Sequence, residues 1–349
     1  MKTTRRTFLK SVAIGAAAVG FPAVIRKSHA AGRQLVFCGF GGNYQEGQSK
    51  ALFEPYEKET GVKIIQTTGV DLAKLRTQVQ SGNVEWDVLS LPDRLRYTAV
   101  YDNMVTKLDY RIIDKTDIMP NMVTDYAIGG VTIPMLLTWN KNAYKGAARP
   151  PQSWKEFWDV KKFPGARGVY NRPTYTLEFA LIADGVPKDK LYPLDVDRAF
   201  RSLNKIKKDV KVWWTEISQP GVLLKTGEVA VTYWPRTIST VLQGEPLGYT
   251  YNEAALTFEA WVVPKGSKNA ELAMQFINWA MRPKPQAELT KYIAFGPTNK
   301  KAMQFVDPKV RTLLSSYPDN AAKGFLLNGD WWGPNLDKVN QQWNEWQLG

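Results

Sequence analysis

Gln34-Leu35-Val36-Phe37-Cys38 opens the stretch that decides the fold. It is a short apolar strand, and beyond Gly39, Gly41 and Gly42 the residues Gln45 to Thr60 place Leu52, Phe53 and Tyr56 on one helical face. Val62 to Thr67 is β-rich again. Asp71 then caps a helix whose Leu72, Leu75 and Val79 recur at i, i+3 and i+7, and Gly82 stops it before the strand Asp87 to Leu91. Strands separated by helices predict a parallel sheet, whose ligands sit beyond the carboxyl ends of the strands. Function is therefore sought in the turns that follow them.

Further along, Val131 to Trp139 is apolar but interrupted by Pro134, and Asn140 to Pro151 reads as a connection. A second α/β pattern follows, with a strand at Gly168 to Asn171, helices at Thr176 to Ala183 and Asp195 to Ile206, and a strand at Val229 to Trp234. Phe258 to Val263 is a strand stopped by Pro264. Asn269 to Met281 is an amphipathic helix with Leu272, Phe276 and Trp279 inward, ended by Pro283 and Pro285. Val131 to Trp139 and Phe258 to Val263 stand where the chain would cross between two lobes.

Upstream, Thr4-Arg5-Arg6-Thr7-Phe8-Leu9-Lys10 precedes an apolar run from Ser11 to Ile25, and Ser28-His29-Ala30 offers small residues to a signal peptidase. A run of 15 residues with Gly15, Gly20 and Pro22 is too short for a membrane anchor. The pattern resembles a twin-arginine (Tat) export signal, which implies a periplasmic protein beginning near Ala31. The 349 residues carry 46 Lys and Arg against 33 acids, and a cleaved leader takes six basic residues and no acid with it. Cys38 alone excludes an intramolecular disulfide and multi-cysteine metal sites. If the single histidine, His29, is lost with the leader, imidazole catalysis and histidine metal sites are ruled out.

Phe40-Gly41-Gly42-Asn43-Tyr44, the block Phe53-Glu54-Pro55-Tyr56-Glu57-Lys58-Glu59-Thr60-Gly61-Val62-Lys63, Trp86-Asp87-Val88, Gly227-Glu228-Val229-Ala230 and Trp261-Val262-Val263-Pro264-Lys265-Gly266 carry a resemblance over essentially the whole mature chain. They resemble the periplasmic solute-binding components of ABC importers, extracellular solute-binding family 1, nearest to its polyamine-binding group. The resemblance implies an α/β, type II periplasmic binding fold: two lobes joined by crossover strands, closing by a hinge on a solute. The expected division is a leader at 1–30, one lobe from 31–136 with 263–310, and a second from 137–262 with 311–349, the last part a C-terminal clasp. The implied partners are a small-molecule solute and an inner-membrane ABC permease, for a monomer that needs no cofactor.

The candidate ligand-binding residues are Gly42, Asn43, Tyr44, Asp93, Arg172, Tyr175, Trp234, Arg236 and Glu259. The glycines after the first strand either free backbone N–H groups toward a polar ligand or serve the turn alone, and no complete phosphate fingerprint is present. Asn43 and Tyr44 follow them. Asp93 either meets the solute or caps the helix after Pro92. By the resemblance, Tyr170-Asn171-Arg172-Pro173-Thr174-Tyr175 lies where polyamine-binding relatives use carboxylates. Arg172 in that place suits a carboxylate or phosphate, unless it is a surface arginine. Trp234 matches a solute-packing aromatic, with Arg236 two residues on. Glu259 stands where those relatives put an Asp, holding an amine or pairing internally with Arg236 or Arg172.

An acid facing arginines suits a zwitterion such as an amino acid, and the solute is expected to carry an anionic group. The alternatives are a polyamine (spermidine or putrescine) receptor, a metal receptor using Tyr170 or Tyr175, and a sugar receptor using Trp213, Trp214, Trp331, Trp332, Trp343 or Trp346. A histidine-free hydrolase or lyase is the alternative of another class, but no paired-carboxylate motif stands out and the expectation is a receptor, not an enzyme. A pI near 9.5 raises nucleic acid as a partner. The basic residues are scattered and export removes that partner, so none is expected.

Overall fold

The computed structural model describes residues 33–146 and 149–349. The leader lies outside the described residues. Ten strands form one continuous sheet: β1 (Gln34–Gly39), β2 (Lys63–Thr68), β3 (Val88–Pro92), β4 (Ile128–Asn140), β5 (Arg167–Tyr170), β6 (Val210–Trp214), β7 (Val231–Trp234), β8 (Leu247–Val262), β9 (Gly296–Pro297) and β10 (Phe325–Leu326). The order is β2-β1-β3-β8-β4-β7-β5-β6, with β9 on β4 and β10 on β8.

The predicted βαβαβ unit forms as a parallel set, β1 lying between β2 and β3. Its first helix starts three residues earlier than the apolar pattern suggests and runs in three stretches, Gly42–Gln48, a π-helical Ser49–Phe53 and Glu54–Thr60. Leu52, Phe53 and Tyr56 bury against the sheet as their spacing requires. Asp71 caps helix Leu72–Ser81 by accepting from the Lys74 N–H at 2.8 Å.

The second parallel set, β6-β5-β7, repeats the device. Each set meets the long antiparallel pair β4 and β8: β3 pairs with the end of β8, and β7 with the end of β4. The sequence pattern shows only the last part of β8. Exposed Asn252 and half-buried Glu253, the latter at φ 57°, break the apolar alternation upstream of it. Pro283 and Pro285 do end one helix, Ala270–Ala280, but Pro283 also begins the next, Pro283–Leu289, because a first-turn proline loses no hydrogen bond there.

Two hydrophobic cores result. Phe37, Phe53, Tyr56, Trp261 and Phe276 centre the first, and Trp154, Phe179, Trp214, Tyr233, Trp332 and Trp343 the second. Between them Leu136, Ile238, Tyr251 and Leu256 pack where β4 and β8 pass from one to the other. The 20-residue helix Gly329–Leu348 seats Trp332 and Trp343 in the second core. It also reaches the first lobe, where Asp330 pairs with Arg96 at 2.9 Å and Gly333 lies against Tyr97.

Candidate functional site

The carboxyl ends of β1, β3, β5 and β7 each lead into a helix: Gly42–Gln48, Asp93–Tyr101, Thr176–Ala183 and Thr237–Leu242. Four helix starts therefore attend the strand ends, and their N–H groups and dipoles favour negative charge. The first turn is possible because Gly41 and Gly42 take φ of 75° and 59°, which a side chain would resist. Gly42 and Asn43 are exposed at that turn, beside Phe40, which is 43% exposed and was missed as a candidate.

Tyr44 and Gln48, one helical turn apart, point at Glu259 near the end of β8. The Glu259 carboxylate is 1% exposed and accepts from the Tyr44 hydroxyl, the Ser90 hydroxyl and, at 3.3 Å, the Gln48 amide. No Lys or Arg pairs with it among the described residues. Burial pushes its pKa above the usual carboxylate value, and the Ser90 and Tyr44 hydroxyls only partly oppose that. Ser90 and Gln48 carry no sequence signal for this role. Ser90 is found only through the pairing of β3 with β8, which sets Pro92 opposite Glu259, and Gln48 only through the helical turn that follows Tyr44.

Arg236, just after β7, is half-buried and lies within electrostatic reach of Tyr44 across the cleft. Burial pulls its pKa down from the ordinary guanidinium value. Burial, then the Glu259 charge, pushes the Tyr44 hydroxyl far up, so it stays a neutral donor. Tyr44, Glu259 and Arg236 thus come together from both lobes. Tyr175 is buried at φ 71°, ψ −44°, an uncommon backbone for a bulky residue, and starts helix Thr176–Ala183. It lies within electrostatic reach of Arg94, which opposes the burial that pushes the Tyr175 hydroxyl up to about 12.

Other candidates sit differently. Asp93 is neither a cap nor free: it is the first residue of helix Asp93–Tyr101, buried, and its carboxylate takes the Arg96 guanidinium at 2.6 Å. Burial raises its pKa and Arg96 opposes. Trp234 is 5% exposed, its indole N–H on the Ile217 carbonyl at 2.6 Å and its ring over Gly221, so the face read as a stacking surface is packed within the second lobe. Arg172 is exposed and has no hydrogen-bond or ion-pair partner among the described residues. The half-buried arginines at the cleft are Arg236 and Arg94, the second absent from the sequence candidates.

Trp214, Trp332 and Trp343 are core residues, and Trp213, Trp331 and Trp346 pack against that core. Among the described residues no three His, Cys, Asp or Glu side chains are grouped to hold a metal ion. Two α/β lobes bridged by long shared strands, with polar groups of both meeting at the strand ends, define a cleft receptor for a small solute.

The sequence pattern of the bacterial extracellular solute-binding proteins matches residues 51–322, and the chain belongs to that family, the substrate-binding components of ABC importers. The gamma-aminobutyric acid-binding protein of Pseudomonas aeruginosa is 30% identical over 331 residues, 91% of this chain and 92% of that protein. An ABC transporter substrate-binding protein from Bradyrhizobium japonicum USDA 110 superposes with a TM-score of 0.85 at 36% identity, covering 90% of this chain and 99% of that one. The PBP AgtB of A. tumefaciens R10, solved with agropinic acid, gives 0.78 at 37% identity over 91% and 99%. The family and these neighbours are receptors rather than enzymes, working outside the cytoplasmic membrane with a membrane permease. This chain is such a receptor, for a small polar organic solute.

Proposed function

We propose that the solute is a zwitterion of the amino-acid kind, its ammonium on Glu259 and a carboxylate on Arg236 beside it. The observation that carries this is Glu259, a buried carboxylate held by three neutral donors and no cation. An ammonium ion supplies the missing charge at that place. Arg236 is the complementary group, half-buried and near Tyr44, and the helix starts around it favour the same anion. A polyamine has no use for Arg236 or Arg94 and would need a second acid to hold its other end. The binding of gamma-aminobutyric acid named for the P. aeruginosa relative is of the proposed class.

In this reading the Tat-type leader delivers a monomer to the periplasm, and the solute passes unaltered to the permease. Closure bends β4 and β8 near Leu136 and Leu256, where the packing changes from one core to the other. Mass spectrometry of solute released from purified protein, followed by calorimetry with γ-aminobutyrate, α-amino acids, putrescine and spermidine, is the test. Tight diamine binding with none for carboxylate-bearing amines refutes the reading, as does recovery of a chemically altered solute.

A further inference from the structure

We infer that Arg94 and Tyr175 form a second anion subsite in the cleft, so that the preferred solute is an amino acid carrying a second carboxylate on its chain. This rests on the zwitterion reading above and extends it from one anionic group to two. Arg94 follows β3 by two residues, while Pro92 at the end of β3 pairs with Glu259, so the two charges stand near the ends of neighbouring strands. Tyr175 comes from the other lobe, after β5, the neighbour of the strand that delivers Arg236.

A chain of contacts joins the helix that carries Arg94 to the helix that Tyr175 starts. The Asp93 carboxylate touches Gly329; three residues on, the Trp332 indole donates to Glu178 at 2.6 Å, and Glu178 lies one turn into the helix that Tyr175 starts. The acids around Arg94 are already used. Asp93 and Asp330 both pair with Arg96, leaving Arg94 half-buried with no hydrogen-bond or ion-pair partner among the described residues. The Tyr175 hydroxyl likewise has no hydrogen-bond partner among them, and burial keeps it protonated, a donor for a carboxylate oxygen. Its uncommon backbone, held by the Phe179 N–H on the Tyr175 carbonyl at 2.9 Å, is the kind of local strain that accumulates where a side chain must be aimed.

A second carboxylate on the solute gives Arg94 the partner it lacks, whereas γ-aminobutyrate, with its single carboxylate on Arg236, leaves Arg94 unmatched.

Calorimetry with L-glutamate, L-2-aminoadipate, an N-(1-carboxyethyl) amino acid and γ-aminobutyrate tests the inference on wild type, Arg94→Gln, Tyr175→Phe, Arg236→Gln and Glu259→Gln. At least one of the dicarboxylates binds more tightly than γ-aminobutyrate to wild type. Arg94→Gln weakens it roughly ten- to a hundredfold and γ-aminobutyrate by no more than about twofold. Tyr175→Phe repeats that selectivity to a smaller extent, and the Arg236 and Glu259 variants weaken both kinds of ligand. Equal losses for both ligands in Arg94→Gln, or no saturable binding of any dicarboxylate, overturns the second subsite. If γ-aminobutyrate still binds in a Glu259-dependent way, the zwitterion reading survives that failure. If putrescine alone binds, both fall.

Discussion

Replacing Glu178 by Gln should cost stability in acid and lose that cost, or reverse it, above pH 7. Glu178 is fully buried in helix Thr176–Ala183, whose other residues are apolar apart from Thr176. Its Oε1 accepts from the Tyr192 hydroxyl at 2.7 Å and the Trp332 indole at 2.6 Å, while Oε2 has no partner. Burial pushes its pKa from 4.5 up to about 7. The folded protein therefore holds a proton that the unfolded chain releases between those values. Stability from this group is complete below pH 4.5 and falls as pH rises toward 7. At about 1.4 kcal/mol per pH unit that interval amounts to about 3 kcal/mol. An amide keeps the acceptor at Oε1 and cannot ionise, but it puts an unpartnered N–H₂ where Oε2 was, at about 1–3 kcal/mol. Urea unfolding followed by tryptophan emission from pH 4.5 to 8 should show the variant weaker than wild type in acid and equal or stronger above pH 7. The difference between the two proteins removes the surface carboxylates, which titrate alike in both. Parallel curves would refute the assignment of the proton to Glu178.

Three further outcomes follow from the geometry. Affinity for an amine-bearing solute should fall as pH is lowered through the raised Glu259 pKa, since the neutral acid has no charge for an ammonium; calorimetry in two buffers of different ionisation enthalpy should show proton release on binding, and Glu259→Gln should abolish it. Gly333→Ala should cost about 1–3 kcal/mol in thermal unfolding, because its methyl group would run into the Tyr97 ring between helices Gly329–Leu348 and Asp93–Tyr101; an unchanged melting point would mean the two helices are not in contact. Asp71→Ala should cost about 1 kcal/mol through the lost cap on the Lys74 N–H, while Asp71→Ser should recover most of it.

The elements legible in the sequence were those whose burial leaves a period. Leu72, Leu75 and Val79 announce their helix, and Thr176 to Ala183 is apolar apart from Thr176 and Glu178, with the bounds the structure gives it. Helix Asp93–Tyr101 was expected only as a helix after Pro92, without its extent, because Arg94, Arg96 and Tyr97 interrupt its apolar stripe, and Arg96 is buried by pairing rather than by hydrophobicity. Strand β6 hid in a run read as stacking tryptophans. The candidate site was legible in part and by other routes. Tyr44 could be found through the glycine turn after the first strand, Arg236 through its place two residues after Trp234, and Glu259 through the resemblance, which puts an Asp there in polyamine-binding relatives. Arg94 could not, since what distinguishes it from Arg96 is which of them takes the Asp93 carboxylate. A sequence does not record that choice.

In the proposed site each pole of the cleft is shared between the two cores, and this bears on closure. Tyr44 and Glu259 stand by the first core and Arg236 by the second; Arg94 stands by the first and Tyr175 in the second. A solute that meets only one lobe binds open and closed states alike and shifts nothing, however tightly it is held. One that joins ammonium to carboxylate across a pole binds the closed state better by the contacts of the opposite lobe. The helix Gly329–Leu348 already ties the lobes together without solute, through Asp330 to Arg96 on one side and Trp332 to Glu178 on the other. Asp330 is 76% exposed, so its ion pair is worth little and can open, whereas the buried Trp332 anchor cannot do so cheaply. The strap should therefore stay with the second lobe and slip on the first. Arg96→Ala would then favour the open form and lower solute affinity modestly, by a route that touches no ligand atom. Scattering profiles with and without solute would show it as a larger unliganded radius, and an unchanged radius together with unchanged affinity would remove the strap from the closure mechanism.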